Sequence, residues 1–173
     1  YKITLHGKGG HGSAPQDSIN PIFCACKIIE AFTAIARFEI DPQQPSVVNT
    51  CSIHSGTIYN IIPEDCEIMG TVRMFNEEQR ARVLGRMQEA VEKIASLYRC
   101  TAQWSLDLSV PCTISDEAFS QQLHDLLVRD LDGVEVLPLS HQKMMGSEDF
   151  AWVSQNVPSC AMQVGSTAPQ GQD

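Results

Sequence analysis

The chain has 173 residues, 43 % apolar and 19 % charged, a normal globular composition. That length suffices for one ordinary domain, or for a domain of about 100 residues plus part of another. The net charge of −9, with lysines and arginines scattered, repels phosphate backbones and argues against nucleic acid as a partner; no apolar run nears the roughly 18 residues that cross a bilayer, so no membrane partner is expected.

Residues 1–5 read as a strand and not as a basic stretch followed by an apolar core. No signal peptide is therefore expected, and a start at Tyr1 instead of Met reads as an excised segment. A glycine-rich loop spans Gly7 to Gly12. Asn20 as N-cap and Pro21 at the first helical position open a helix, with Ile22, Cys26, Ile29, Phe32 and Ala36 as its apolar stripe. The prolines Pro42 and Pro45 break the chain there. Residues 46–56 and 64–75 read as strands, with Asn60-Ile61-Ile62-Pro63 closing the loop between them. In the second strand Cys66, Ile68, Gly70, Val72 and Met74 define one buried face. Asn76 caps a second helix whose stripe is Val83, Met87, Val91, Ile94 and Tyr98. A fourth strand follows, with Ala102, Trp104, Leu106 and Leu108 on one side.

The order β-α-β-β-α-β predicts an α+β fold of the ferredoxin-like type, an antiparallel sheet with two helices on one face. The pattern changes at Val110-Pro111, which divides the chain into residues 1–109 and 110–173. The second part reads as a partial α/β layer: a helix over 116–130 capped by Ser115 and stopped by Gly133, a strand over 134–137, a short helix capped by Ser147, and a strand over 159–164. It has too few elements to close a core alone, and the tail from Gly165 is polar and reads as flexible.

Seven cysteines leave at least one thiol unpaired, and Cys51, Cys66 and Cys160 lie in apolar runs where cysteine acts as a small hydrophobe. That pattern favours a reducing compartment, the cytoplasm. Cys24 and Cys26 stand two residues apart in a helical stretch and point to opposite faces, so they read as packing and not as a chelating pair.

The strongest chemical signal is the loop Gly9-Gly10-His11-Gly12-Ser13-Ala14-Pro15. Glycines permit positive φ and close backbone approach, so the loop can present one imidazole outward. The residues alone leave His11 open between an exposed turn histidine and a hydrogen-bond donor, acid or base. Asn49 lies in a strand, where a buried amide needs a partner. Asn60 fits turn chemistry as well as a binding role, and Arg73 fits a solvated charge. Glu148 and Asp149 are explained by helix capping, or one of them lines a cleft. His54, His124 and His141 fit no metal-ligand spacing.

Five segments, in order and covering nearly the whole chain, resemble the M20 metallopeptidases, in particular their aminoacylase and hippurate-hydrolase-like amidohydrolase branch. They are G-K-G-G-H-G-S-A-P from Gly7, A-R-F-E-I-D-P from Ala36, G-x-x-x-N-I-I-P from Gly56, G-T-V-R-M-F from Gly70 and M-G-S-E-D-F from Met145. Ser55 replaces a glycine usual beside Gly56, and Asn20-Pro21 stands where Asp-Pro is usual. The resemblance implies a lid (dimerisation) domain over 1–109 and a resumed, incomplete portion of the catalytic domain over 110–173. It implies hydrolysis of the amide of an N-acyl amino acid or small peptide, by a homodimer holding two divalent metal ions, zinc or manganese, per catalytic domain. It assigns His11 as the lid histidine that donates to the oxyanion in the partner subunit, and Asn49, Asn60, Arg73 and Glu148 to the substrate side. The branch's C-x-H motif, Glu-Glu pair and two further histidines are not in the sequence. They are expected before Tyr1 and after Asp173, so this chain alone is expected to bind no metal and to be inactive. The alternative is a non-catalytic small-ligand-binding or dimerisation module with the same ferredoxin-like core.

Overall fold

The computed structural model describes residues 1–133, 135–137 and 144–165. The chain forms two compact units, Tyr1–Ser109 and Val110–Asp173.

In the first unit the alternation of Ile3 and Leu5, both fully buried, with Lys2, Thr4 and His6 makes β1 (Lys2–His6) a one-sided strand. A two-residue strand β2 (Gly10–His11) follows. Helix α1 (Pro21–Phe38) starts where Asn20 accepts the Ile22 N–H at 3.0 Å. Then come β3 (Ser46–Ser55), the two-residue β4 (Ile61–Ile62) and β5 (Asp65–Met74). Helix α2 (Glu77–Leu97) is capped by Asn76, which accepts from Gln79 N at 2.9 Å, and β6 (Thr101–Ser105) ends the unit.

The main sheet runs β3-β5-β1-β6, all antiparallel, which is the ferredoxin-like arrangement. Ile3, Leu5, Cys66 and Ile68 from the sheet meet Ile28, Phe32 and Ile35 of α1 and Val83, Met87 and Val91 of α2 in one core. Tyr1 stacks on Trp104 at 5.5 Å and meets Phe32 edge-on at 5.3 Å, which closes one end. The opposite face of the sheet carries no helix of this unit. Arg86 of α2 holds the Glu39 carboxylate beyond α1 at 2.8 Å, which keeps that carboxyl below its usual range.

Three details differ from the sequence pattern. The deepest face of α1 is Cys24, Ala25, Ile28, Phe32 and Ile35, whereas Ile22 and Cys26 are exposed. This helix has apolar residues over more than one face, so spacing alone selected a stripe offset from the one the sheet covers. Strand β6 ends at Ser105, leaving Leu106 and Leu108 exposed. Cys51 is the extra residue of a β-bulge between Thr50 and Ser52 and is exposed, not packed.

In the second unit α3 (Glu117–Asp130) is capped by Asp116, which accepts from Phe119 N at 2.8 Å. Ser115, the expected cap, instead accepts from Ala161 N at 3.1 Å. That bond and Asp116 N to Ser159 O at 2.8 Å engage residues 159–161, so the expected strand over 159–164 joins no ladder. Residues 135–137 are not strand either, and position 134 lies outside the described residues, as does the tail beyond Gly165. Helix α4 (Phe150–Ser154) begins at Asp149, two residues later than a Ser147 cap would place it. Phe119, Trp152 and Met162 are exposed, so this unit leaves much of its apolar surface uncovered.

Two outcomes are expected. Ile28→Ala should lower unfolding free energy by about 2–5 kcal/mol, measured by urea titration, because a fully buried side chain leaves a cavity. In the folded protein iodoacetamide should modify Cys26 while Cys24, Cys66 and Cys100 react only on unfolding, as peptide mass mapping would show. Burial, with Cys100 alongside, pushes the Cys24 thiol up to about 12, and burial raises Cys66 and Cys100 as well.

Candidate functional site

The glycine-rich loop is held between two backbones. Gly7 N donates to Glu64 O at 2.7 Å, and Lys8 and Ile19 exchange bonds of 2.9 Å in each direction. A Cβ on Gly7 would lie 2.2 Å from Ile19 O, so only glycine fits there. The loop then pairs with the segment before β5: Gly10 lies opposite Ile62 and His11 opposite Ile61. Gly12 N donates to Asn60 O at 2.8 Å, and a Cβ on Gly12 would sit 3.1 Å from that oxygen. Positive φ is not what these glycines supply, since among the described glycines only Gly56 and Gly133 adopt it. They supply close approach.

His11 is exposed at the tip of this ribbon. Its Nδ1 lies 2.7 Å from Ser13 Oγ and receives the Ser13 backbone N–H at 3.2 Å. A backbone N–H only donates, so Nδ1 is the acceptor and the neutral ring carries its proton on Nε2. Nε2 has no partner among the described residues. The loop therefore fixes the ring through its own Ser13 and leaves Nε2 as the donor of an exposed side chain. Ser13 was invisible as a partner in the sequence, where nothing marks a two-residue return of the chain.

Asn60 joins His11 because its carbonyl is tied to Gly12, and its residue lines an open depression of about 500 Å³ with Gly12, Ile22, Ile58, Tyr59 and Ile61. The other sequence candidates lie elsewhere. Asn49 faces Thr71 and Arg73 faces Val47, both on the helix-free face of the β3–β5 pair. Asn49 lies about 20 Å along β3 from Ser55, at roughly 3.3 Å per residue. It is exposed, so its amide needs no buried partner, and Arg73 is half-buried. Glu148 belongs to the second unit, exposed, with its carbonyl accepting Ala151 N at 3.3 Å. It precedes α4 and does not sit in its first turn.

Among the described residues no three His, Cys, Asp or Glu side chains come together to hold a metal ion. His141 lies outside the described residues. The side chains described here do not fit a metal centre, so no chemical step can be derived through one. No helix among the described residues is long and apolar enough to cross a membrane.

Residues 1–99 match the peptidase dimerisation domain of the M20 peptidases, and the chain belongs to that family. It is 37 % identical over 159 residues to thermostable carboxypeptidase 2 of Saccharolobus solfataricus, covering 91 % of this chain and 39 % of that protein. It is 29 % identical over 170 residues to the N-acetylcysteine deacetylase of Bacillus subtilis, covering 98 % and 44 %. A crystal structure of a Bacillus subtilis protein, described as a dinuclear metal binding peptidase of the M20 family, superposes with a TM-score of 0.66 at 26 % identity, over 92 % of this chain and 38 % of that one. The chain thus spans about two fifths of the length of the curated relatives it matches.

The tautomer is directly measurable. In a ¹H–¹⁵N long-range correlation spectrum the neutral His11 ring should show a pyridine-like Nδ1 and a protonated Nε2. The opposite pattern would contradict the Ser13 bond.

Proposed function

We propose that this chain is part of a longer metal-dependent amidohydrolase, with residues 1–109 as the lid and 110–173 as the resumed, incomplete portion of the catalytic domain. The longer protein hydrolyses the amide bond of N-acyl amino acids or small peptides as a homodimer. The uncovered apolar surface of the second unit supports an incomplete domain. The relatives support the reaction class: one is named a carboxypeptidase and another a deacetylase of an N-acetyl amino acid. A related structure described as dinuclear supports two divalent metals in the longer protein, with zinc or manganese as the ions to test. Those metals and the general base fall to residues that this chain does not supply, so the chain alone is inactive. The odd cysteine count and the burial of Cys24, Cys66 and Cys100 support a reducing compartment, the cytoplasm.

The observation that carries this reading is the exposed His11 ring, held at Nδ1 by Ser13 so that Nε2 is left as a donor. As a substrate carbonyl becomes tetrahedral its oxygen gains charge, and a donor fixed beforehand stabilises that charge without reorganising. His11 is exposed at a ribbon tip, which suits donation into the partner subunit's site. Strand β3 ends the sheet with one row of ladder groups unpaired, which supports dimerisation edge to edge. Asn60, fixed beside His11, is placed to bind the substrate's polar groups. Asn49 and Arg73 would meet the substrate or its surroundings from the helix-free face, and Glu148 from the second unit.

The longer protein, loaded with zinc or manganese, should hydrolyse N-acetyl or N-benzoyl amino acids and lose activity to a chelator. His11→Ala should lower kcat by about a hundredfold or more while folding is kept, the usual cost of one oxyanion donor. An unchanged kcat would remove the proposed role.

A further inference from the structure

His11 and Ile61 face each other across the ribbon. Gly12 and Asn60 are bonded through their backbones, so the His11–Ile61 pair between the bonded pairs is the closer kind, with side chains adjacent on one face. Ile61 is 53 % exposed and also lines the open depression of about 500 Å³. The same depression is flanked by Ile58 at 50 % and Tyr59 at 98 % exposure, with Ile22 from the start of α1. Scattered exposed apolar residues need no explanation, but these line one concavity, which reaches His11 through its ribbon partner Ile61 and its neighbour Gly12. Its volume falls in the range of small-ligand sites, and Gly12 and Asn60 supply its polar edge.

We propose that Ile61, with the apolar depression it opens onto, receives the acyl group of the substrate and makes the enzyme select apolar acyl groups larger than acetyl. This rests on the amidohydrolase reading and adds a specificity determinant to it. Connectivity assigns the acyl group to the depression. The oxygen that His11 contacts and the first carbon of the acyl chain are bonded to the same carbonyl carbon. The amino-acid side chain is reached only through the amide nitrogen and the α-carbon. Ile61, the cross-strand partner of His11, is therefore the apolar side chain assigned to the acyl chain.

Two measurements test it. In the longer, metal-loaded protein, kcat/KM for N-hexanoyl-alanine should exceed that for N-acetyl-alanine. Ile61→Thr, which keeps a β-branched residue in the ribbon, should reduce that ratio on the order of tenfold. Tyr59→Ser should shift it in the same direction, and its side chain is too exposed to matter for folding. An unchanged ratio would overturn the inference. So would a change only in the preference for N-acetyl-phenylalanine over N-acetyl-alanine, which would assign the depression to the side chain. The second measurement needs no catalysis. N-hexanoyl-alanine added to residues 1–173 should shift the ¹³C-methyl signals of Ile22, Ile58 and Ile61, and N-acetyl-alanine should not. Methyl shifts without any hydrolysis would defeat the reaction and keep the apolar site. Hydrolysis of N-acyl amino acids without methyl shifts would defeat the site and keep the reaction.

Discussion

The 2.8 Å hydrogen bond from Gly12 N to Asn60 O, which extends the β2–β4 ribbon, fixes what this domain adds to a ferredoxin-like sheet. It joins two segments that the sequence separates by most of a β-α-β unit. Without this ribbon the loop after β1 would be anchored only at Gly7 and Lys8, and the orientation of His11 would be a matter of loop entropy. With it, the backbone on both sides of the imidazole is tied to ordered structure. The glycines are the condition for this. A side chain at Gly7 collides with Ile19 O, and one at Gly12 presses on the acceptor itself.

The large elements were legible because each carries its own local signal. Asn20-Pro21 and Asn76 cap α1 and α2 as their residue types demand, and the alternation in β5 gives Cys66, Ile68 and Met74 to the core. The order of those elements then leaves few topologies. Where local signal failed, a tertiary partner decided. In α1 the sheet, not the helix's own spacing, chose Cys24 and Ile28 over Cys26 and Ile22. In the second unit, residues 159–161 were apolar enough to be a strand, but they bond Ser115 and Asp116 at the start of α3.

The site was legible only in part, for a related reason. His11 and Asn60 could each be singled out by type and neighbours, yet nothing short-range in either motif states that they meet. A two-residue strand has no periodicity to read. Its existence depends on β1 and β5 pairing first in the register that puts Leu5 opposite Cys66 and His6 opposite Asp65, which brings the two loops to the same end of the sheet. Asn49 and Arg73 illustrate the converse. They belong to the same long hairpin, but their register carries them toward its other end.

The state of the imidazole ties these levels together. The two ring nitrogens of a neutral histidine are distinct, one a donor and the other an acceptor. Here Ser13 occupies Nδ1 with a hydroxyl and a backbone N–H, which settles the tautomer of the neutral ring and leaves Nε2 without a partner among the described residues. The ring is thereby ordered by one side so that the other side has a defined donor. On the proposed reading the value of that donor is realised when an acceptor is brought to it from outside, and a developing oxyanion is an acceptor that a donor fixed beforehand stabilises strongly.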